Sequence, residues 1–209
     1  MKGCSAIQRQ REESAVFLLR HPTSAAVDRF LDRSKRLPLS FLHRPSSIVD
    51  RRSFGYTVDE TVITIGRGRE DFDRACAALR SWKHYDFGWV EVWCDRAAID
   101  VGANLAVLIR HLGFYSLNGG RVLYLVDGTP ARPAFGFAYA TLPNHAERGE
   151  ELFEVFMDPR TGDAHYRIRA VSRPRAFLAW LGYPVTRALQ ARFRRDSGAA
   201  MKRATAGVG

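Results

Sequence analysis

The feature that most constrains the fold is a segment of strict alternation interrupted by one loop, between Phe135 and Met157. In its first part Phe135, Phe137 and Tyr139 alternate with glycine and alanine, and a second alternating run covers residues 152–157. Side chains two residues apart in a strand share a face. The segment therefore predicts a strand, a loop and a second strand, with one aromatic face and one almost bare face.

The loop between these strands carries four groups that could do chemistry: His145, Glu147, Glu150 and Glu151. They could be metal ligands or a general acid and base. However, no period fixes their faces on a loop, and no second histidine follows four residues later. The alternative is that Glu150 or Glu151 pairs with an arginine, Arg173 being the favoured partner, and anchors the loop.

The remaining pattern predicts a strand, a helix, six antiparallel strands and a final helix. A short helix, capped by Thr23 or Ser24, precedes them and ends before Pro38. The predicted elements are strand 60–66, helix 70–82, strands 89–93, 104–111, 122–127, 134–141, 152–157 and 164–172, and a long helix entered at Pro184 that ends before residue 206. Turn signals between the strands include Asn118-Gly119-Gly120 and the segment 143–149.

Gly66 and Gly68 stand between a predicted strand and a predicted helix, where a phosphate-binding loop could lie. The third glycine of a dinucleotide fingerprint is replaced by Asp71, and no βαβ unit follows. A tight turn into the helix is the favoured interpretation.

The formal net charge of +10 comes almost wholly from arginine. Arg187, Arg192, Arg194 and Arg195 flank the apolar stripe of the final helix. Such a helix could bind anionic lipid or nucleic acid. In a helix that covers a sheet, a solvated basic face is the ordinary explanation, so we predict no nucleic-acid partner and at most weak contact with a membrane surface.

The three cysteines, Cys4, Cys76 and Cys94, lack metal-ligand or redox spacing, which favours a reducing compartment. No early segment reaches the length of a signal-peptide core, and no window approaches a membrane span. We therefore expect a cytoplasmic protein, monomeric or homodimeric, with no metal site and no cofactor.

The order of elements predicts an α+β fold of the START-like, helix-grip type. In this fold a curved antiparallel sheet of about seven strands surrounds a long C-terminal helix. We expect a domain over residues 57–205, an N-terminal extension with a short helix over 1–56, and a tail over 206–209. A sheet and helix of this kind commonly enclose a cavity with a mainly apolar lining.

Several short motifs occur together in a characteristic order over residues 19–203. They are Leu19-Arg20-His21-Pro22, the segment from Gly66 to Phe72 with Ala75, Leu79, Arg80 and Trp82, Gly88-Trp89, the segment from Phe135 to Pro143 with His145 and residues 149–151, Ser172-Arg173-Pro174, and Gly182-Tyr183-Pro184 with Gln190 and Phe193. Together they resemble uncharacterised protein family 0548, a domain of unknown function found in bacteria and plants. Ala140 stands where this family suggests glycine. The resemblance implies a START-like fold and leaves the activity open.

From these patterns we expect a binding protein for a small apolar or amphipathic molecule, held between the sheet and the final helix. The predicted binding residues are Trp89, His111, Tyr115, Phe137, Tyr139, His145, Glu150 and Arg173. One alternative is an enzyme that acts on a small polar substrate through His145, Glu150 and Arg173. The other is phosphate-directed binding by the basic helix. Ser116 has no evident triad partners, and no residue is assigned a catalytic role.

Overall fold

The computed structural model describes residues 16–40, 56–174 and 183–206. Its elements are β1 (Val16–Leu18), α1 (Ser24–Ser34), β2 (Thr57–Arg67), α2 (Gly68–Arg80), a short 3₁₀ helix (Lys83–Tyr85), β3 (Val90–Cys94), β4 (Asn104–Arg110), β5 (Tyr115–Thr129), β6 (Arg132–Thr141), β7 (Glu147–Met157), β8 (Asp163–Pro174) and α3 (Tyr183–Thr205). The predicted order of helices and strands is confirmed.

All strands pair antiparallel in one sheet of the order β2-β8-β7-β6-β5-β4-β3. The additional strand β1 pairs with the first residues of β5, so the described part of the sheet has eight strands where the sequence predicted about seven. The curved sheet with its C-terminal helix confirms the predicted helix-grip class. The predicted boundary near residue 56 stays a prediction.

Asn118-Gly119-Gly120 was wrongly predicted to be a turn, because it lies within β5. The two glycines accommodate neighbouring side chains: a Cβ on Gly120 would lie 2.7 Å from the Tyr139 ring, and one on Gly119 would lie 2.1 Å from Asn144 Oδ1. The chain turns earlier, at Gly113, whose φ is +86°. Here glycine marks close packing on a strand and not a change of direction.

The turn at Gly66 and Gly68 leads into α2, as favoured from the sequence. Gly68 has a φ of +82°, and a Cβ on Gly66 would lie 2.5 Å from the Asp71 carboxylate. That carboxylate accepts a hydrogen bond of 2.7 Å from the Arg67 amide. An acidic side chain therefore occupies the N-terminus of α2, where a phosphate would have to bind.

The sheet has two differently covered faces. Its inner face, which packs against α2 and α3, holds the main hydrophobic core. On α3, Met201 is fully buried, and Gly198 is so close to Ile63 that a Cβ would lie 2.7 Å from its Cδ1. On the outer face, α1 places Val27 and Phe30 against β4 and β5.

Candidate functional site beneath the C-terminal helix

The predicted aromatic face of β6 is on the inner side of the sheet, where Phe135, Phe137 and Tyr139 belong to the main core. On the neighbouring strand β7, Glu151 stands directly opposite Tyr139. The Tyr139 hydroxyl donates a hydrogen bond of 2.5 Å to Glu151 Oε2. This cross-strand pair brings a carboxyl group into an otherwise aromatic interior.

Burial has a large effect on this carboxyl group. Desolvation raises the pKa of Glu151 to about 7, and the negative charge of Glu147 acts in the same direction. The Tyr139 hydrogen bond and the positive charge of Arg194 act against the rise. Protein closely surrounds the carboxyl group, although the residue as a whole is only half-buried.

The 3₁₀ helix between α2 and β3 adds His84 and Tyr85 to this interior, and both are buried. Trp82, in the left-handed conformation with a φ of 60°, turns the chain from α2 into this helix. Burial raises the pKa of Tyr85 far above its usual value, and the negative charge of Glu151 acts in the same direction. The 3₁₀ helix therefore adds a further phenol beside the Glu151 carboxyl group.

His84 is a fully buried imidazole, and neither ring nitrogen has a hydrogen-bond partner among the residues that the structure describes. Its ring centre lies 4.4 Å from that of Tyr85 and 4.6 Å from that of Phe153. Desolvation lowers the pKa of His84 to about 3, so the imidazole is neutral at physiological pH.

Aromatic rings surround these polar groups. Phe137 lies 5.2 Å from Trp82 and 5.5 Å from Phe153, measured between ring centres. From α3, Phe193 approaches Tyr85 at 5.6 Å and Phe153 at 6.2 Å. The C-terminal helix thus completes a wall that begins on β6 and β7.

A polar network joins α3 to the ends of β2 and β7. Gln190 Nε2 donates to Glu147 Oε1 at 2.8 Å, and Arg187 Nη1 donates to Gln190 Oε1 at 2.8 Å. Arg187 also binds Asp59, with 2.7 Å between Nη2 and Oδ1, and Arg194 Nη1 lies 3.7 Å from Asp59 Oδ2. Both arginines therefore have a carboxylate partner on β2.

Three of the eight sequence-predicted binding residues lie on the inner side of the sheet, and the other five lie elsewhere. Phe137, Tyr139 and Trp89 lie on the inner side, and the Trp89 indole donates to Asp196 Oδ2 on α3 at 2.9 Å. His111 lies in the β4–β5 turn, where its Nε2 is 2.8 Å from Ser116 Oγ and its ring stacks on Phe114.

The remaining four predicted residues lie on the outer face of the sheet or in the loop before β7. Tyr115 packs with the core of the outer face. Glu150 accepts from the Tyr124 hydroxyl at 2.9 Å, and the Arg173 guanidinium lies 4.8 Å above the Tyr56 ring. Both are on the outer face, whereas Glu151 faces the inner side beside Tyr139. His145 remains in the loop, where its Nδ1 accepts the Glu147 amide at 2.9 Å.

Sequence reasoning missed His84, Tyr85 and Glu147 as members of the interior cluster and assigned Glu151 no role in binding. The alternation of Phe153 and Val155 continues back through Glu151 to Glu147, because β7 begins at residue 147 and not at 152. Extending that alternation would have placed both carboxyl groups on the aromatic face. Nothing in the local sequence indicates that the short 3₁₀ helix points inwards.

Two absences apply to the described segments alone. Within residues 16–40, 56–174 and 183–206, no group of three or more His, Cys, Asp or Glu side chains is arranged to hold a metal ion. In the same segments, no helix is both long and apolar enough to cross a membrane.

Comparison with solved structures supports the fold alone. A hypothetical protein from Helicobacter pylori superposes with a TM-score of 0.50 at 11% sequence identity, over 78% of this chain and 95% of that one.

Sequence comparison identifies much nearer relatives. The chain is 33% identical over 199 residues to a protein from Dictyostelium discoideum named UPF0548 protein, covering 87% of this chain and 92% of the relative. A protein of the same name from Deinococcus radiodurans is 34% identical over 188 residues, covering 85% and 92% respectively. The family model described as Domain of unknown function (DUF1990) matches residues 48–200. The chain therefore belongs to the DUF1990 family, whose curated relatives carry the name UPF0548 protein.

Proposed function

We propose that this protein binds a small amphipathic molecule between the inner face of the sheet and α3. The apolar part of the ligand contacts the half-buried side chains of Phe193 and Leu189 on α3, and its polar part contacts Glu151. The observation that carries the proposal is the pair of Glu151 and Tyr139, a carboxyl group and a phenol joined by a hydrogen bond among the aromatic rings of the inner face, where Glu151 is only half-buried.

His84 supports the same conclusion from another element. A buried polar group without a hydrogen bond costs roughly 1–3 kcal/mol, and such groups in native proteins commonly have a partner. The His84 ring contacts the same Tyr85 and Phe153 rings that stand beside Glu151. A polar group of a ligand that entered between these rings would give the His84 nitrogens a partner, and binding sites typically combine an apolar lining with few polar groups.

The alternatives raised by the sequence receive less support. Glu150 and Arg173 lie on the outer face, away from the enclosed cluster. On the basic helix, Arg187 and Arg194 are already engaged with Asp59. We therefore extend the proposal to neither alternative.

The test uses n-octanol as a neutral amphipathic probe. Isothermal titration calorimetry and amide NMR shifts measure its binding to the protein. We expect saturable binding with shifts at residues of the inner cluster. Leu189→Trp fills space on the inner side of α3 and should abolish binding, whereas Ala188→Trp, at the adjacent exposed position, should leave it intact. Circular dichroism checks that both variants fold. Absence of saturable binding to the wild-type protein would overturn the proposal.

A further inference from the structure

We infer that one end of the sheet docks on the surface of an anionic lipid bilayer. The docking surface, here called the apolar tip, consists of the exposed side chains of Phe17, Leu19, Leu112 and Phe114. The tip lies outside the inner cluster and does not use the arginines of α3. This inference therefore goes beyond the proposed function and does not depend on it.

The side chains of the tip lie together because β1 pairs with the beginning of β5. Leu18 stands opposite Tyr115, the first residue of β5, so Leu19 comes beside the turn that joins β4 to β5. The ring centres of Phe17 and Phe114 lie 6.0 Å apart. The tip is thus one surface built from two segments that are distant in sequence.

The exposure of the tip is unusual for apolar side chains. Leu112 stands in the β4–β5 turn, directly before Gly113 with its φ of +86°, and is 100% exposed. Leu19 is 86% exposed and Phe17 is 64% exposed. Single exposed apolar residues are ordinary, whereas a cluster of them marks a surface that contacts a partner.

Two exposed arginines flank the tip: Arg20 follows β1, and Arg110 ends β4. Neither forms an ion pair with the residues that the structure describes. The carboxylates on the neighbouring elements are already bonded to basic side chains: Glu91 to His21, Asp86 to Lys83, and Asp196 of α3 to Arg192 and Arg195. On α1, the first turn has no acidic residue, and Asp28 is followed directly by Arg29.

The charges left over beside the tip are therefore positive. Apolar side chains that enter the boundary between headgroups and acyl chains, with arginines at the level of the headgroups, are the arrangement that binds an anionic membrane surface. The tip has both components, since Leu112 projects from a turn between strands and Arg110 stands just before that turn.

The size of the tip argues against a protein partner. A stable protein interface uses roughly 20–30 residues from each side, whereas the tip offers four apolar side chains around a turn. A two-fold contact between copies of this chain, centred on the tip, would also bring the same arginines near one another. In the sequence before β1, residues 1–14 contain only Met1, Cys4, Ala6 and Ile7 as apolar residues, which offers little to cover the tip.

The experiment is flotation of the full-length protein with vesicles of pure phosphatidylcholine or of equal parts of phosphatidylcholine and phosphatidylserine. We expect the wild type to prefer the anionic vesicles. Leu112→Ser should weaken this binding about tenfold, and Arg20→Gln combined with Arg110→Gln should remove the preference for anionic lipid. Val101→Ser and Arg160→Gln change exposed residues in turns at the opposite end of the sheet and should bind like the wild type.

A second measurement separates insertion from adsorption through the net charge of +10. The added tryptophan emission of Leu112→Trp should be quenched when the phosphatidylcholine carries brominated acyl chains, whereas that of Val101→Trp should not. Circular dichroism checks that every variant folds.

Four results would overturn the inference. They are absence of wild-type binding to anionic vesicles, an equal loss of binding in the control variants, no quenching of Leu112→Trp, and a concentration-dependent dimer that Leu112→Ser dissociates. The last of these would assign the tip to a second copy of this chain.

Discussion

The glutamates on the two faces of β7 have different partners. On the outer face, Glu154 is buried and binds Arg167, with 2.7 Å between Oε2 and Nη1. On the inner face, Glu151 is enclosed by aromatic rings and bonds to a phenol. The same residue type, three positions apart, is thus part of a complete ion pair on one face and lacks a direct cationic partner among the described residues on the other.

This difference distinguishes a glutamate with a structural role from one in the proposed binding site. A buried carboxylate with a guanidinium partner is accounted for by stability alone. A buried carboxyl whose charged form is disfavoured costs stability, and such groups cluster at functional sites. The contrast between Glu154 and Glu151 therefore directs experiments to the inner face.

The largest effect should come from removing the ring that supports the inner face. Phe153→Ala deletes a fully buried side chain and should lower the free energy of unfolding by about 3–5 kcal/mol. Leu152→Ala, on the outer face and only half-buried, should cost about 1 kcal/mol. Urea denaturation measures both, and equal losses would show that the two faces contribute alike.

The second effect is a dependence of stability on pH. The folded pKa of Glu151 is raised from 4.5 to about 7, so the folded protein binds more protons than the unfolded chain between these values. Its contribution to stability is present below pH 4.5 and is lost as the pH rises through 7. The loss is roughly 3 kcal/mol in the ligand-free protein.

The measurement is the difference in unfolding free energy between the wild type and Glu151→Gln, followed from pH 5 to pH 8. Taking the difference removes the contribution of His84, which acts in the opposite direction as the pH falls. The wild type should lose stability relative to the variant as the pH rises. A difference that is independent of pH would show that Glu151 titrates normally.

The smallest effect concerns the hydrogen bond across β6 and β7. Tyr139→Phe removes the donor that favours ionised Glu151, so the pKa of Glu151 should rise further and stability at pH 8 should fall by about 1 kcal/mol. Carboxyl ¹³C NMR follows the titration directly. Tyr124→Phe, which removes the corresponding phenol from Glu150 on the outer face, should leave the Glu151 titration unchanged.

Local patterns in the sequence determined the element types, the antiparallel sheet and the inward aromatic face of β6. These follow from periodicity, caps and turns, which act over a few residues. For example, Thr23 caps α1 by accepting the Ala26 amide at 3.3 Å. The same patterns misplaced Gly119 and Gly120, because glycine serves both turns and close packing, and only the neighbouring strand distinguishes the two uses.

The tertiary structure alone decided the composition of the site. The register of β6 against β7 sets Tyr139 opposite Glu151, and the packing of the 3₁₀ helix brings in His84 and Tyr85 from more than 50 residues away in sequence. Neither the strand register nor the packing of the 3₁₀ helix can be read from the local periodicity of the sequence. The alternation along β7 specifies which residues share a face, whereas the burial that raises the pKa of Glu151 arises only when α3 and the 3₁₀ helix close over the sheet.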